Sequence, residues 1–470
     1  MPRLKHLVVV IPGIGGSELE GDDGLAWGDS LPLALKALTR PERLDVDRPL
    51  RPVGLVRGIT LLPGWTIARD YTDLVDDIRR TFADVVFDDG HPDRPRLDAD
   101  VLLFPYDFRH SVARAAAALD ATVRARLARR TGVGSPPQRV VVVAHSMGGL
   151  VARYWLGPLG ARSLCRALIT LGTPHRGAPK ALQWLVNGVP LPFAAGTSRV
   201  LRGWPGAYEL LPRYRAVWNQ AARAPAYPHD LAPAWPIDAD AVRRAFEVHR
   251  EIEDAWSRPP STPEAPELIP FVGAGHRTLE WATWDGSRLG VTKDPPSEPD
   301  AWLPDTGLRG DGTVPGLAAI PIELSDRPGA WRQSPHRHGT IASTREITQL
   351  LLQYAAGSLA AVRGGVEPAG PTSPPRLGLD LDECCVPGAP VPLRVELHGP
   401  HDQADAQVWA EVAPEGTHAV RARLQLERDG SEWRGVFAGL EPGLWRVRIS
   451  ATGVRPEPAD VVDTLAVVGE

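Results

Sequence analysis

The stretch from Val140 to Gly149 constrains the fold of this chain more than any other. It reads Val-Val-Val-Val-Ala-His-Ser-Met-Gly-Gly, a β-branched run that ends abruptly at Ser146 among small residues. This pattern is typical of a buried parallel strand that delivers a nucleophile on a tight strand-to-helix turn. Such a turn strains the serine backbone, so the residues two positions away must be small. Gly148 satisfies this requirement, and Ala144 replaces the usual first glycine. The alternative interpretation is a glycine-rich strand end that only turns the chain.

Strands and helices alternate along the first 356 residues. Continuous apolar runs predict strands at residues 7–11, 101–104, 140–143, 168–171 and 268–272. Apolar residues at helical spacing predict helices at 71–82, 111–130, 149–156 and 343–354. The last helix opens with Ser343-x-x-Glu346, a capping-box pattern. We therefore expect an α/β domain with a mostly parallel sheet over residues 1–356, interrupted by a Trp- and Pro-rich inserted cap at about 180–267.

The C-terminal part follows a different pattern. Residues 357–376 are rich in Gly, Pro and Ala, which indicates a linker and predicts few contacts between the parts that it joins. Beyond it, apolar residues alternate with period two, and Asp429-Gly430 is a hairpin signal. We expect residues 377–470 to form a small all-β sandwich that resembles immunoglobulin or fibronectin type III modules. Such modules commonly act as scaffolds or adaptors, so a protein partner is one expectation for this domain, and none of its residues suggests catalysis.

Composition and charge exclude several function classes. The formal net charge is −5 at pH 7 without a basic block, which argues against a nucleic-acid partner. The 3 cysteines are too few for a disulfide framework, so reduced thiols are expected. The sequence lacks His-Glu-x-x-His, paired Cys-x-x-Cys and carboxylate clusters, so we expect neither a metal nor a cofactor. Neither a signal peptide nor a membrane-spanning run is recognisable, so a cytoplasmic protein is the default expectation.

A serine hydroxyl is a weak nucleophile at neutral pH, so Ser146 needs a base, and the base needs an orienting acid. In sheets of this kind the acid and then the histidine follow the serine along the chain. The best acid is Asp311, between two glycines, although a plain Asp-Gly turn is the alternative. For the base we favour His338, because Gly339 frees the backbone just before the last helix, and His336 is the alternative.

Two backbone N–H groups are expected to bind an oxyanion. One follows the serine and belongs to Met147. The other comes from the glycine-rich loop after the first strand, where we choose Gly15. A phosphate-cradling loop is the alternative for these glycines, but no Lys-Ser/Thr pair follows them as a P-loop requires. The remaining histidines His145, His175 and His276 are expected to be turn or strand-end residues.

Six motifs occur in order between residues 5 and 355. They are Ile11-Pro-Gly-Ile-Gly-Gly-Ser-Glu-Leu-Glu20, Pro105-Tyr-Asp-Phe-Arg109, Ala144-His-Ser-Met-Gly-Gly149, Leu171-Gly-Thr-Pro-His-Arg-Gly177, Tyr208-Glu-Leu-Leu-Pro212 and Gly310-Asp-Gly-Thr-Val-Pro315. Together they resemble the lecithin:cholesterol acyltransferase-like family, which includes lysosomal phospholipase A2 and phospholipid:diacylglycerol acyltransferases. The resemblance implies an α/β-hydrolase fold, an acyl-serine intermediate and lipid esters as acyl donors. By position in the motifs it supports Ser146, Asp311, a histidine of the 336–338 pair, Gly15 and Met147.

The chain also departs from that family. No cysteine precedes Cys165, so the cysteine-closed lid of the secreted members is absent, and the β-module and the missing export signal differ as well. These departures affect the expected substrate and membrane attachment rather than the chemistry. The leading hypothesis is a serine-dependent lipid acyl hydrolase or acyltransferase acting on phospholipid or glyceride esters. The alternatives are a soluble carboxylesterase for non-lipid esters and a catalytically silent binding module on a hydrolase scaffold.

The cap is the part of the chain on which the lipid hypothesis depends most. It contains Trp184, Trp204, Trp218 and Trp235, together with the apolar segment Val189–Phe193. Two interpretations are open. These residues form a small core of the cap itself, or some of them line an acyl-chain channel or contact a membrane surface, as indole rings and exposed apolar patches do.

Overall fold

The computed structural model describes residues 1–468 apart from 57–59, 63–64, 68–69, 131–138, 189–194, 259–264, 296–302, 304–306, 357–374, 400–405 and 418. The strands, in chain order, are β1 (Leu7–Ile11), β2 (Ser17–Gly21), β3 (Gly24–Trp27), β4 (Arg51–Leu55), β5 (Thr60–Leu62), β6 (Trp65–Ile67), β7 (Phe87–Asp88), β8 (Val101–Leu103), β9 (Val140–His145), β10 (Cys165–Leu171), β11 (Val217–Asn219), β12 (Ala224–Ala226), β13 (Glu267–Gly273), β14 (Trp281–Trp284), β15 (Leu289–Thr292), β16 (Arg332–Ser334), β17 (Arg376–Leu381), β18 (Cys384–Cys385), β19 (Val391–His398), β20 (Gln407–Pro414), β21 (Ala422–Gln425), β22 (Glu427–Asp429), β23 (Glu432–Phe437), β24 (Gly443–Thr452) and β25 (Val461–Val467). The α-helices are α1 (Leu31–Thr39), α2 (Asp70–Thr81), α3 (Val112–Arg130), α4 (Met147–Leu156), α5 (Pro179–Leu182), α6 (Ala195–Leu201), α7 (Pro205–Tyr208), α8 (Pro228–Leu231), α9 (Ala239–Ser257), α10 (Gly316–Ala319) and α11 (Arg345–Tyr354).

A parallel sheet organises the first part of the chain. In the described residues it has 7 strands in the order β16-β13-β10-β9-β1-β8-β7, and its pairs are parallel. The five strands predicted from apolar runs lie here as β1, β8, β9, β10 and β13. The valine run of β9 occupies the centre, paired with β1 on one side and β10 on the other. The prediction of a mostly parallel α/β sheet is therefore confirmed.

Both faces of this sheet are buried, which is why its strands are continuous apolar runs rather than alternating ones. In β9, Val140 and Val142 pack on one face, and Val141 and Val143 pack on the other. Helices α3 and α4 cover the first face, and α2 and α11 cover the second. The sheet thus packs between two helical layers, which fix the positions of the side chains at its strand ends.

The last helix starts later than the capping-box pattern predicts, so that part of the prediction is wrong. Residues His338–Ser343 form a 3₁₀ helix, and α11 begins after Thr344, which makes no side-chain capping bond. The Ser343 hydroxyl donates to Asp73 Oδ2 at 3.4 Å instead of capping the helix. The 3₁₀ helix thus includes Ser343, which the pattern assigns to the N-cap of α11, and Thr344 occupies the N-cap position instead.

The inserted region is built from α5 to α9 with β11 and β12. These two strands pair with β14 and β15 into one sheet of order β12-β11-β14-β15, so the region also recruits strands from beyond residue 267. Trp184, Trp204 and Trp235 are buried in the main core, and Trp218 is half-buried. The three buried tryptophans therefore serve a core, as one interpretation expects, but that core is shared with the sheet and is not a separate small core of the cap. The segment Val189–Phe193 lies outside the described residues.

The C-terminal residues form two packed sheets of orders β17-β19-β23-β22 and β18-β25-β24-β20-β21. Alternate residues of the strands, such as Leu393 and Val395 in β19, point into one shared core. The Asp429-Gly430 signal is confirmed, because β22 and β23 form an antiparallel hairpin around it. An additional all-β domain therefore follows the α/β domain, as the period-two pattern predicts.

The expectation of few contacts between the two domains is wrong. Polar contacts join them at several points. Arg337 donates to the carbonyl oxygen of Leu379 at 3.0 Å, and Arg309 pairs with Glu396 at 3.1 Å. Lys180 pairs with Glu383 at 3.2 Å. The composition of the linker does not reveal these contacts, because residues outside it, on both sides, supply them.

Candidate active site

Ser146 lies on the sharp turn between β9 and α4. Its backbone angles, φ 52° and ψ −126°, belong to a strained region for a residue with a side chain. The turn is held because the Ser146 N–H donates to the Leu171 carbonyl oxygen at 2.9 Å. A Cβ atom on Gly148 would lie 2.4 Å from the Pro12 carbonyl oxygen, so the small residue that the sequence pattern requires is needed for close packing against the loop after β1.

Three side chains that are far apart in sequence form one hydrogen-bonded chain. His338 Nε2 lies 3.0 Å from Ser146 Oγ, and His338 Nδ1 lies 2.7 Å from Asp311 Oδ2. All three side chains are buried, with Ser146 only 1% exposed. The structure therefore brings together the three residues that the sequence singles out as nucleophile, base and acid.

The Asp311 carboxylate is held in place by its own loop. Oδ1 accepts hydrogen bonds from the N–H groups of Thr313 at 2.9 Å and Val314 at 2.6 Å, which leaves Oδ2 for His338. Burial alone would raise the pKa of Asp311, but the His338 imidazole and these N–H donors lower it below its ordinary value. The acid is therefore ionised at neutral pH and fixes the His338 tautomer that carries its proton on Nδ1.

Gly172 leaves the space in which the acid and the histidine meet. A Cβ atom on this residue would lie 2.7 Å from Asp311 Oδ2 and 3.1 Å from His338 Nδ1. Its φ of +53° also favours glycine. Sequence reasoning did not assign it a role, although it belongs to the Leu171-Gly-Thr-Pro motif.

His336, the alternative base, is not the histidine between Ser146 and Asp311. Its backbone N–H donates to Ser334 Oγ at 3.3 Å, and its backbone carbonyl oxygen lies near Gly273. The two hydrogen bonds that complete the chain come from His338, whose backbone N–H also donates to the Asp311 carbonyl oxygen at 2.9 Å.

The two expected oxyanion donors differ in what surrounds them. Met147 is the first residue of α4, where N–H groups have no partner within the helix and the helix dipole favours negative charge. In the loop after β1, Gly13 is the glycine in contact with the serine, since an added Cβ would lie 2.9 Å from Ser146 Cβ. The Gly13 N–H is already donated to the Tyr71 hydroxyl at 2.9 Å. Gly15 has φ +72° and its carbonyl accepts from Trp27, so its N–H as the second donor stays a prediction.

Tyr71 and His145, to which the sequence assigns no role in the site, link the loop after β1 to the backbone of His338. The Tyr71 hydroxyl lies 2.9 Å from His145 Nδ1, and His145 Nε2 lies 3.0 Å from the His338 carbonyl oxygen. A carbonyl oxygen only accepts, so Nε2 carries the proton, Nδ1 accepts from Tyr71, and Tyr71 accepts from Gly13. Burial lowers the pKa of His145 to about 3, which keeps it neutral as this network requires. No local sequence signal could have identified Tyr71, because it lies in α2, 74 positions before His145.

No group of His, Cys, Asp and Glu side chains that could hold a metal ion occurs in the part of the chain that the structure describes. Within the same residues, no helix is both long and apolar enough to cross a membrane.

Comparisons with known proteins bear mainly on the fold. The family described as PGAP1-like alpha/beta domain matches residues 51–189, less than a third of the chain, and this part contains Ser146 but neither Asp311 nor His338. No curated protein matches the chain. The Bacillus licheniformis lipase BlEst2 in mature form is similar at 15% identity, with 59% of this chain and 69% of that chain covered and a TM-score of 0.27. The propeptide form of the same lipase is similar at 11% identity, with 98% and 94% covered and a TM-score of 0.36. The sheet order, the serine turn and the family match show an α/β-hydrolase fold followed by an all-β domain.

Proposed function

We propose that this protein is a serine ester hydrolase that forms an acyl-enzyme on Ser146. The observation that carries the proposal is the chain of hydrogen bonds from Asp311 through His338 to Ser146, at 2.7 and 3.0 Å, on a strained strand-to-helix turn. This is the arrangement that activates a serine hydroxyl, because the base lies within reach of the hydroxyl proton and the acid orients the base.

Each residue has a distinct part in the proposed reaction. Ser146 Oγ attacks the ester carbonyl carbon while His338 Nε2 takes the hydroxyl proton, and Asp311 stabilises the imidazolium that forms. The N–H groups of Met147 and Gly15 bind the oxyanion. His338 then returns the proton to the leaving alcohol, and a water molecule or another alcohol resolves the acyl-serine by the same steps in reverse.

The substrate class that we propose is a lipid ester, such as a phospholipid or glyceride. The support is the set of six ordered motifs that resemble the lecithin:cholesterol acyltransferase-like family. Transfer to an alcohol, as in acyltransferases of that family, is part of the same proposal, because both outcomes start from one acyl-enzyme.

A soluble carboxylesterase for non-lipid esters is the second candidate, and one observation favours it. In the described part of the cap, none of the large hydrophobic side chains is exposed, and Trp184, Trp204 and Trp235 are buried. The described part of the cap therefore offers little apolar surface for a membrane. Membrane contact through the cap and a protein partner for the β-domain accordingly stay proposals that rest on the sequence alone.

Labelling with a fluorophosphonate probe tests the chemistry directly. Wild-type protein should be labelled, and Ser146→Ala should lose both labelling and ester turnover, with a fall in kcat on the order of a million-fold. Circular dichroism should show that the variant is folded. A wild-type protein that resists the probe would favour the silent binding module, and labelling that survives the substitution would place the nucleophile elsewhere.

Chain length and substrate state separate the two substrate classes. A lipid hydrolase should turn over long-chain p-nitrophenyl esters faster than the acetate, and its rate on tributyrin should rise when the substrate exceeds its solubility. A soluble esterase should prefer the acetate and show no such rise. Mass spectrometry of the products with and without an added alcohol then distinguishes hydrolysis from transfer.

A further inference from the structure

We infer that Asp463, in the last strand of the β-domain, is a positioning residue for the proposed active site. It acts through Arg337, whose guanidinium lies between the β-domain and the two loops that carry Asp311 and His338. The inference rests on the proposed function, since it concerns the reactivity of the same serine. It also gives the β-domain a part in catalysis that the sequence does not suggest.

Arg337 directly precedes His338 in the chain, and its side chain is buried. Its guanidinium is held by the β-domain. It donates from Nη1 to the Leu379 carbonyl oxygen at 3.0 Å and from Nη2 to the Leu381 carbonyl oxygen at 3.2 Å. Its Nε lies 2.6 Å from Asp463 Oδ2 in an ion pair in which both side chains are at most 4% exposed. A planar guanidinium bound at three places has one orientation, so the residue next to the base is anchored to the β-domain.

The other side of the guanidinium faces the loop of the acid. A Cβ atom on Gly312, the residue after Asp311, would lie 2.9 Å from Arg337 Nη2 and 3.2 Å from Cζ. A glycine at this position therefore lets the guanidinium pack against this loop without being displaced. The Arg337 side chain thus contacts the loop that contains Asp311, and its backbone belongs to the loop that contains His338. A shift of this side chain would therefore change the distance between Asp311 and His338.

Strand β17, whose Leu379 and Leu381 carbonyl oxygens bind Arg337, makes a second contact with the same two loops. The Leu379 N–H donates to His276 Nδ1 at 3.1 Å, and His276 Nε2 donates to the Pro335 carbonyl oxygen at 2.8 Å, in the loop of the base. The backbone of His276 also pairs with Gly310, next to the acid. Burial lowers the pKa of His276 to about 3, so it is neutral and can accept and donate in this way. Strand β17 therefore holds both loops. Asp463 is the carboxylate nearest to the Arg337 guanidinium and supplies charge that keeps it on that strand, and Glu383 Oε1 lies farther away, at 3.7 Å from Nη2.

The test compares Asp463→Asn with Asp88→Asn in the full-length protein. Asp88 is a matched control, because it is also buried and pairs with a buried arginine, Arg126, but lies in β7 at the opposite edge of the sheet. Both variants remove one carboxylate from a buried ion pair, so both are expected to be less stable than wild type. The readouts are kcat and KM on a soluble ester and the rate of fluorophosphonate labelling, at a temperature where each variant is folded.

For Asp463→Asn we expect kcat and the labelling rate to fall between about ten- and a hundred-fold with KM nearly unchanged, the scale expected for a small misplacement of catalytic groups. Asp88→Asn should keep both within about two-fold of wild type. Arg337→Lys is the second variant, in case Asp463→Asn does not fold, and it should lower kcat similarly because lysine lacks the planar fork. Wild-type labelling rates in folded Asp463→Asn, or an equal fall in Asp88→Asn, would overturn this inference alone. If Asp463→Asn does not fold, wild-type rates in Arg337→Lys would overturn it in the same way. A wild-type protein that is not labelled would overturn the proposed function as well.

Discussion

The imidazole of His145 lies against that of His338, with ring centroids 4.9 Å apart, and its Nε2 donates to the His338 carbonyl oxygen at 3.0 Å. The residue before the proposed nucleophile therefore supports the backbone of the proposed base. On its other side His145 accepts from Tyr71, which in turn accepts from Gly13 in the loop after β1. One buried network thus joins the loop beside the serine to the loop of the base.

Removing the Tyr71 hydroxyl should disturb this network without changing the shape of the core. In Tyr71→Phe the Gly13 N–H and His145 Nδ1 lose their partner, and an unsatisfied buried polar group costs about 1–3 kcal/mol. Two groups lose their partner, so we expect the free energy of unfolding, measured with urea, to fall by at least the cost of one such group, and kcat to fall with little change in KM. Tyr154→Phe is the control, since that hydroxyl bonds to Glu251 at the surface. Equal stability and kcat in Tyr71→Phe and wild type would mean that the network does not support the site.

The two histidines of the base loop should behave differently. His338→Ala should reduce ester turnover to the level of Ser146→Ala, because no other imidazole lies between Ser146 and Asp311 in the described residues. His336→Ala, two residues away, should keep most of the activity. Steady-state kinetics on a soluble ester measures both, and the reverse order of effects would move the base to His336.

Gly172→Ala should damage the site through contact rather than through backbone strain. The new methyl group would overlap Asp311 Oδ2, at 2.7 Å, and crowd His338 Nδ1, at 3.1 Å. Gly160→Ala is a matched control, because Gly160 has a similar positive φ of 72° but nothing within 4 Å of an added Cβ. Both variants should lose about 1–2 kcal/mol of stability from the left-handed backbone, and only Gly172→Ala should lose most of its kcat. A similar kcat in the two variants would contradict the contact argument.

His249 should contribute to acid sensitivity. Burial lowers its pKa to about 4 from the ordinary 6.5, so between these pH values the unfolded chain binds a proton that the folded protein does not. Its contribution to stability is therefore complete above pH 6.5 and declines, by about 1.4 kcal/mol per pH unit, as the pH falls toward 4. Burial raises the pKa of Glu209 to about 8, so this group changes the stability with pH in the opposite direction. The pH dependence of the unfolding free energy of the wild type alone therefore does not report on His249.

The comparison of wild type with His249→Gln isolates this group. Urea unfolding at a series of pH values from 7.5 to 4.5 should give a free energy of unfolding that depends less on pH in the variant, by about 1.4 kcal/mol per pH unit over the acidic part of the range. Parallel curves for the two proteins would show that His249 is not kept neutral by burial.

Features with a local cause could be predicted from the sequence. The valine run before Ser146 predicts a strand buried on both faces, and a small residue at position 148 is required by the turn itself. Period two in residues 391–397 likewise predicts a strand with one buried face, and β19 has that pattern. The start of α11 was mispredicted, because a capping pattern does not show whether a 3₁₀ turn precedes the helix.

The sequence alone determined the α/β sheet, the turn that carries Ser146 and the all-β domain, because each depends on residues within a few positions of one another. It also narrowed the acid and the base to a few candidates by their order along the chain. Only the tertiary structure decided which histidine lies between Ser146 and Asp311, that Tyr71 and His145 support it, and that Asp463 holds Arg337 beside it. These contacts join residues between 27 and 193 positions apart, and a hydrogen bond or ion pair between such residues leaves no periodic pattern in the sequence.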